Sequence, residues 1–172
     1  MKLGIISDTH ITHNDNKEKV SFLINQLKSI FKDVDEIIHA GDVCEEFFLK
    51  EIKGIAKTRC VRGNLDNIKN LKDFIKFYIG RYNIGVIHIL PDDLEDFVKK
   101  HNLQILIFGH THQPLIKGTN FNVLLLNPGS PTKPNAPVER PGFLKPLARP
   151  SVITLNIDED DILSTFIINL KI

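Results

Sequence analysis

Up to Val61 the chain alternates between apolar runs too short to be helices and stretches whose apolar residues recur every third or fourth position. Residues 2–7, 36–39 and 57–61 read as buried strands. Between the first two, Val20, Leu23, Leu27, Ile30 and Phe31 form the apolar stripe of an amphipathic helix, with Asp15 as a cap ahead of it. A second helix is expected over 45–52. Strands joined through helices in this order pair in parallel, because the crossover helix carries the chain back over the sheet before the next strand begins.

Beyond Val61 the punctuation changes. Runs 73–79 and 82–89 flank Gly80-Arg81, a hairpin signal. A short helix follows over 93–100, with Leu94, Phe97 and Val98 as its buried face, and then a strand over 104–108. Runs 114–117 and 121–126 flank Gly118-Thr119-Asn120, and runs 152–157 and 162–168 flank an acidic turn. Parallel units followed by hairpins predict one domain over 1–172, an α/β sandwich with two sheets face to face and helices outside (α/β/β/α). Residues 131–150 interrupt the pattern with Pro131, Pro134, Pro137, Pro141, Pro146 and Pro150, each lacking a backbone donor. This segment reads as an extended, solvent-facing loop; an ordered surface excursion is the plain reading, and a cover for a partner or substrate the alternative.

Composition narrows the chemistry. The net charge is +1 with no run of Lys or Arg, so nothing argues for the broad basic face that duplex nucleic acid favours. Cys44 and Cys60 are too few for a disulfide framework and read as buried free thiols. The apolar stretch at the N-terminus is too short for a signal peptide or a membrane span, which makes the cytoplasm the expected location. There is no Gly-rich loop ending in Lys-Ser or Lys-Thr, and Ser130 lacks a nucleophile elbow. NTPase and serine-hydrolase chemistry therefore fall away.

Polar residues gather where the strands end. Asp8 and His10 follow the first strand, Gly41-Asp42 the second and Gly63-Asn64 the third. His88 closes the strand 82–89, and Gly109-His110-Thr111-His112 follows 104–108. Ligands of open α/β sheets collect at the carboxyl ends of strands, so these loops should meet. Asp8 and His10, like His110 and His112, stand two apart and would share a face in extended backbone. Carboxylate, amide and imidazole without thiolate suit a catalytic centre better than a structural zinc site.

In their order, Asp8-Thr9-His10, Gly41-Asp42, Gly63-Asn64-Leu65-Asp66, His88 and Gly109-His110-Thr111-His112 resemble the motifs of the calcineurin-like metallophosphoesterases. The chain looks most like the small bacterial and archaeal phosphodiesterases of that superfamily, whose members also carry a stretch like Asn127-Pro128-Gly129-Ser130. The resemblance implies two divalent ions, Mn²⁺ first and Ni²⁺, Fe²⁺, Mg²⁺ or Zn²⁺ as alternatives. Asp8, His10, Asp42 and His112 would hold one, and Asp42, Asn64, His88 and His110 the other, with Asp42 bridging. Asp42, Asn64 and His110 are expected to be catalytic as well. The implied reaction is attack on a small phosphodiester by a hydroxide that bridges the two ions.

Two positions depart from the superfamily pattern. Leu65 stands where many members carry a His, which removes a proton donor for the leaving group. Ile89 and Leu90 follow His88 where Gly is usual. A phosphomonoesterase, and a protein-binding scaffold like the retromer subunit that shares this fold, are the rival readings; a nuclease would need a basic groove. Exposed edge strands leave room for a homodimer. His39 reads as a partner of a metal ligand or as a structural histidine, His13 as a solvated loop residue and His101 as the end of a helix. Asp66 would orient Asn64 or make a turn.

Overall fold

A computed structural model of the chain describes residues 1–171. The first sheet holds β1 (Lys2–Ile6), β2 (Glu36–His39), β3 (Lys57–Cys60), β9 (Ser151–Ile157) and β10 (Leu163–Asn169), in the order β10-β9-β1-β2-β3. The second holds β4 (Phe74–Ile79), β5 (Tyr82–Ile87), β6 (Ile105–Ile107), β7 (Pro114–Gly118) and β8 (Leu124–Pro128), in the order β4-β5-β6-β8-β7. Strands β1, β2 and β3 are parallel, as are β5, β6 and β8.

Alternation within the strands builds the layers. Leu3, Ile5 and Ile38 of the first sheet meet Ile84, Val86, Ile105 and Ile107 of the second in a core between the sheets. Ile6 and Ile37 face outward, against Leu23, Leu27 and Phe31 of α1 (Lys17–Ile30 with its C-cap) and Phe48, Leu49 and Ile52 of α2 (Glu46–Lys53). On the far side Leu106 and Phe108 pack with Val98 of α3 (Leu94–Lys100). This is the expected α/β/β/α sandwich.

Boundaries moved where local hydrogen bonds outweighed the apolar pattern. The N-cap of α1 is Asn16, whose side chain accepts from Glu18 and Lys19, while Asp15 closes the preceding turn by accepting from the Thr12 N–H and hydroxyl. The second hairpin places β8 later than 121–126, because Thr119 and Val123 pair through backbone and hydroxyl and close a longer loop. Both cysteines are free but only half-buried. Residues 131–150 carry neither helix nor strand, although Pro131 and Pro150 at their ends are buried. Among the described residues no helix is long and apolar enough to cross a membrane.

Candidate metal centre

All seven sequence-predicted ligands come together at the carboxyl ends of β1, β2, β3, β5 and β6. In one group the Nε2 atoms of His10 and His112 lie 3.1 Å apart. Asp8 Oδ1 is 3.4 Å from His112 Nε2 and 3.9 Å from His10 Nε2. In the other, His88 Nε2 lies 3.5 Å from Asp42 Oδ2 and 3.0 Å from Asn64 Oδ1. That amide oxygen is also 3.1 Å from His110 Nδ1. Both carboxylates reach both groups: Asp42 Oδ2 is also 3.7 Å from His10 Nε2, and Asp8 Oδ1 is 4.0 Å from His88 Nε2.

The donor set fits divalent cations. Ligand atoms sharing an ion at about 2.1 Å must stand roughly 3–4 Å from one another, the spacing seen here. The proton positions make the same point. His112 Nδ1–H donates to the Lys133 carbonyl at 2.6 Å and His88 Nδ1–H to the Ala40 carbonyl at 2.7 Å. In the neutral rings each Nε2 therefore aims a lone pair towards the carboxylate and amide oxygens, a gathering of acceptors that a bound cation would reconcile. Locking the remote ring nitrogen against a carbonyl is also how metal-bound histidines are oriented.

Electrostatics agree. Burial drives the Asp8 carboxyl above its ordinary pKa, against the Ser7 hydroxyl and the pull of His88 and His112. Burial also works against a charged Asp42, yet its hydrogen bonds to His88 and to the Leu65 N–H hold it below the usual carboxylate range. Burial disfavours imidazolium at His88, but Asp42, the Ala40 carbonyl and Asp8 together raise its pKa. Burial pushes His10 down. A cation at His88 would need the neutral ring, so metal binding and protonation compete there.

The extended-backbone expectation fails at the ligands. Asp8, His10, Asp42, His110 and His112 all have positive φ, between 47° and 69°. Non-glycine residues adopt this left-handed region at a cost and mostly where surrounding contacts impose it. Each pair thus turns its side chains inward by curling the loop. Two glycines make the loops fit: a Cβ on Gly63 would collide with Asp42, and one on Gly109 would meet the Ser7 hydroxyl and Asp8.

Further residues support the ligand loops, some of them, such as Asp66, His39 and the Asn127–Ser130 stretch, already marked by the sequence. The carboxylate of Asp66 accepts from the backbone N–H groups of Asp42, Cys44 and Gly63 at 3.0, 2.7 and 2.7 Å. Asn127 donates to the Gly109 carbonyl and the Thr111 hydroxyl, and Ser130 donates to the Asp8 carbonyl. Thr132 donates to the Thr9 carbonyl, and Asn135 donates through its backbone N–H to the His112 carbonyl and through its side chain to that of Thr111. The start of the Pro-rich segment is therefore tied to both ligand loops. His39 is fully buried, accepts from the Gly41 N–H at Nδ1 and so donates from Nε2 to Thr9. Cys44 Sγ stands 3.6 Å from His10 Nδ1, giving that ring a sulfur neighbour in place of a carbonyl. Burial keeps the thiol protonated, its pKa pushed up to about 11. His13 lies outside the cluster, stacked on Phe47 and paired with Glu45.

Leu65 is 58% exposed, and its backbone N–H holds Asp42 Oδ1 at 2.8 Å, which leaves Oδ2 to face both groups. Ile89 after His88 is exposed and does not displace the ring.

The model of the calcineurin-like phosphoesterase superfamily domain matches residues 1–157. The chain is 35% identical over 167 residues to the "Probable metallophosphoesterase" of Methanothermobacter thermautotrophicus, covering 92% of this chain and 87% of that protein. A solved archaeal phosphodiesterase matches with a TM-score of 0.68 at 25% identity, over 98% of this chain and all of that one. Zinc-bound Vps29 from Entamoeba histolytica shares the fold with a TM-score of 0.71 at 23% identity, over 98% of this chain and 99% of that one.

Proposed function

The chain belongs to the calcineurin-like phosphoesterase superfamily, and from that membership we propose that it is a two-metal phosphodiesterase. Metal-dependent phosphoester hydrolysis goes with the family; cleavage of diesters, the pair of ions and Mn²⁺ as the working metal are our finer reading. The observation that carries it is Asp42 Oδ2, which faces imidazoles of both groups while Leu65 N–H occupies the other oxygen. Asp8, His10, Asp42 and His112 would hold one ion, and Asp42, Asn64, His88 and His110 the other. Bound there, divalent ions would acidify water and draw charge from the phosphoryl oxygens.

The chain's own residues prepare that reaction. Backbone N–H of His110 holds both oxygens of Asp8 at 3.0–3.1 Å, so the ligand loops stay in register. Asn64 and His110 are exposed whereas Asp8, His10, Asp42 and His88 are buried. Asn64 and His110 would therefore form the open rim of the centre. With no proton donor at Leu65, esters with good leaving groups are favoured. The archaeal phosphodiesterase among the structural relatives supports the diester reading. We place the enzyme in the cytoplasm, whose reducing conditions suit its free thiols.

A second reading, a protein-binding scaffold, is favoured by the exposed Val138, Phe143, Leu144 and Leu147 on the Pro-rich segment. The two part in one assay. Chelator-stripped protein is given Mn²⁺, Ni²⁺, Mg²⁺ or Zn²⁺ singly and offered bis-p-nitrophenyl phosphate or p-nitrophenyl phosphate, with His112→Ala as control. Diester cleavage restored by metal and lost in the control supports our reading. Cleavage of the monoester alone removes the diester assignment, and no turnover in folded, metal-binding protein favours the scaffold.

A further inference from the structure

A phosphodiester keeps one organic substituent when the other departs, so a centre that accepts diesters needs space beside the ions for a group that does not react. The molecule has such a space. A groove of about 720 Å³ begins at His10 and runs between α1 and the start of the Pro-rich segment. Phe22 and Leu23 of α1 form one wall, and Pro131 and Pro150 form the other. Phe22 is 49% exposed, an aromatic ring left open to the groove rather than buried in the α1 stripe. Lys133 also lines it, and its backbone carbonyl accepts from His112 Nδ1–H at 2.6 Å, which ties this residue to the ligand cluster. The nearby Asp15 carboxylate is already engaged by Thr12.

We propose that this groove holds the retained organic substituent of the substrate, with Phe22 as an apolar platform and Lys133 pairing with the negative charge of the phosphodiester at the mouth. His10 belongs both to the groove and to the centre, so a phosphorus atom held at the ligands would have its unreactive arm at the groove's entrance. The wall suits a planar or apolar group, since an aromatic face rewards stacking and area burial. The assignment rests on the phosphodiesterase reading and narrows its substrate to diesters whose retained arm is aromatic or similarly apolar.

The test compares bis-p-nitrophenyl phosphate with methyl p-nitrophenyl phosphate, which share a leaving group and differ only in the retained arm. Wild type, Phe22→Ala, Lys133→Gln and the remote Tyr78→Ala are assayed with metal, and melting temperatures confirm folding. Phe22→Ala should reduce the aryl-over-methyl ratio of kcat/KM about fivefold or more, mainly through KM. Lys133→Gln should lower kcat/KM for both esters by roughly tenfold, and Tyr78→Ala should change neither. An unchanged ratio in folded Phe22→Ala overturns the platform, and unchanged constants in Lys133→Gln overturn the pairing. A wild type that cleaves neither ester with any of the metals overturns the phosphodiesterase reading itself.

Discussion

The carboxylate of Asp66 accepts the backbone N–H of Asp42 at 3.0 Å. With its bonds to Cys44 and Gly63, it joins the loop after β2 to the loop after β3. Asp66 thereby sets the direction in which Asp42 and Asn64 present their oxygens. Asp66→Ala leaves three N–H groups without this acceptor. Activity or metal affinity should fall about 10–100-fold, the usual consequence of losing a group that orients a metal ligand. Stability should fall by roughly 2–4 kcal/mol. Kinetics with a metal titration, beside denaturant unfolding, would check both, and intact metal affinity in the folded variant would count against the positioning role.

Cation binding should stabilise the fold. An ion at about a hundred times its Kd adds roughly 2.7 kcal/mol to stability. For a chain of this size that raises Tm by about 5–10 °C. Differential scanning fluorimetry of stripped protein with added Mn²⁺ would show the shift. His112→Ala should lose half of it or more, and an equal shift in wild type and variant would remove His112 from the ligand set.

His39 makes the metal-free protein acid-sensitive. Its pKa falls from the ordinary 6.5 to about 3 because the ring is fully buried, so it stays neutral in the fold. Unfolded His39 takes up a proton below 6.5 while the native ring does not until about 3. The unfolded state therefore binds more protons in that window, and stability declines as pH is lowered through it, by up to roughly 1.4 kcal/mol per pH unit from this group. Urea melts of chelated protein between pH 7 and about pH 4 would measure the slope. His39→Gln should flatten it; an identical slope would assign the acid sensitivity to other groups.

Elements with local signals were legible in advance. β2 covers the expected residues, and Gly80-Arg81 is the two-residue turn between the paired Ile79 and Tyr82. The ligands could be read because polar residues after apolar runs announce strand ends. What escaped was long-range or conformational. Ser130 reaches the Asp8 carbonyl across 122 positions, a partnership that periodicity cannot encode. The positive φ at His110 and His112 was hidden because His is no turn signal of the Gly or Asn kind. For Asp66 the sequence offers orienting Asn64 or making a turn, and its bonds to Asp42 and Cys44 are illegible there because those partners lie on another strand's loop.

The ligands are also divided between the two halves of the sandwich. Asp8, His10, Asp42 and Asn64 follow strands of the first sheet, and His88, His110 and His112 follow strands of the second. Elsewhere the sheets meet chiefly through non-directional apolar contact. A cation at the centre would act as a rivet, fixing the angle and separation of the sheets at one end. The precision of the catalytic geometry and the rigidity of that end would then share the same bonds, in addition to the hydrogen bonds from His110 N–H to Asp8 and from His88 to the Ala40 carbonyl that already cross there.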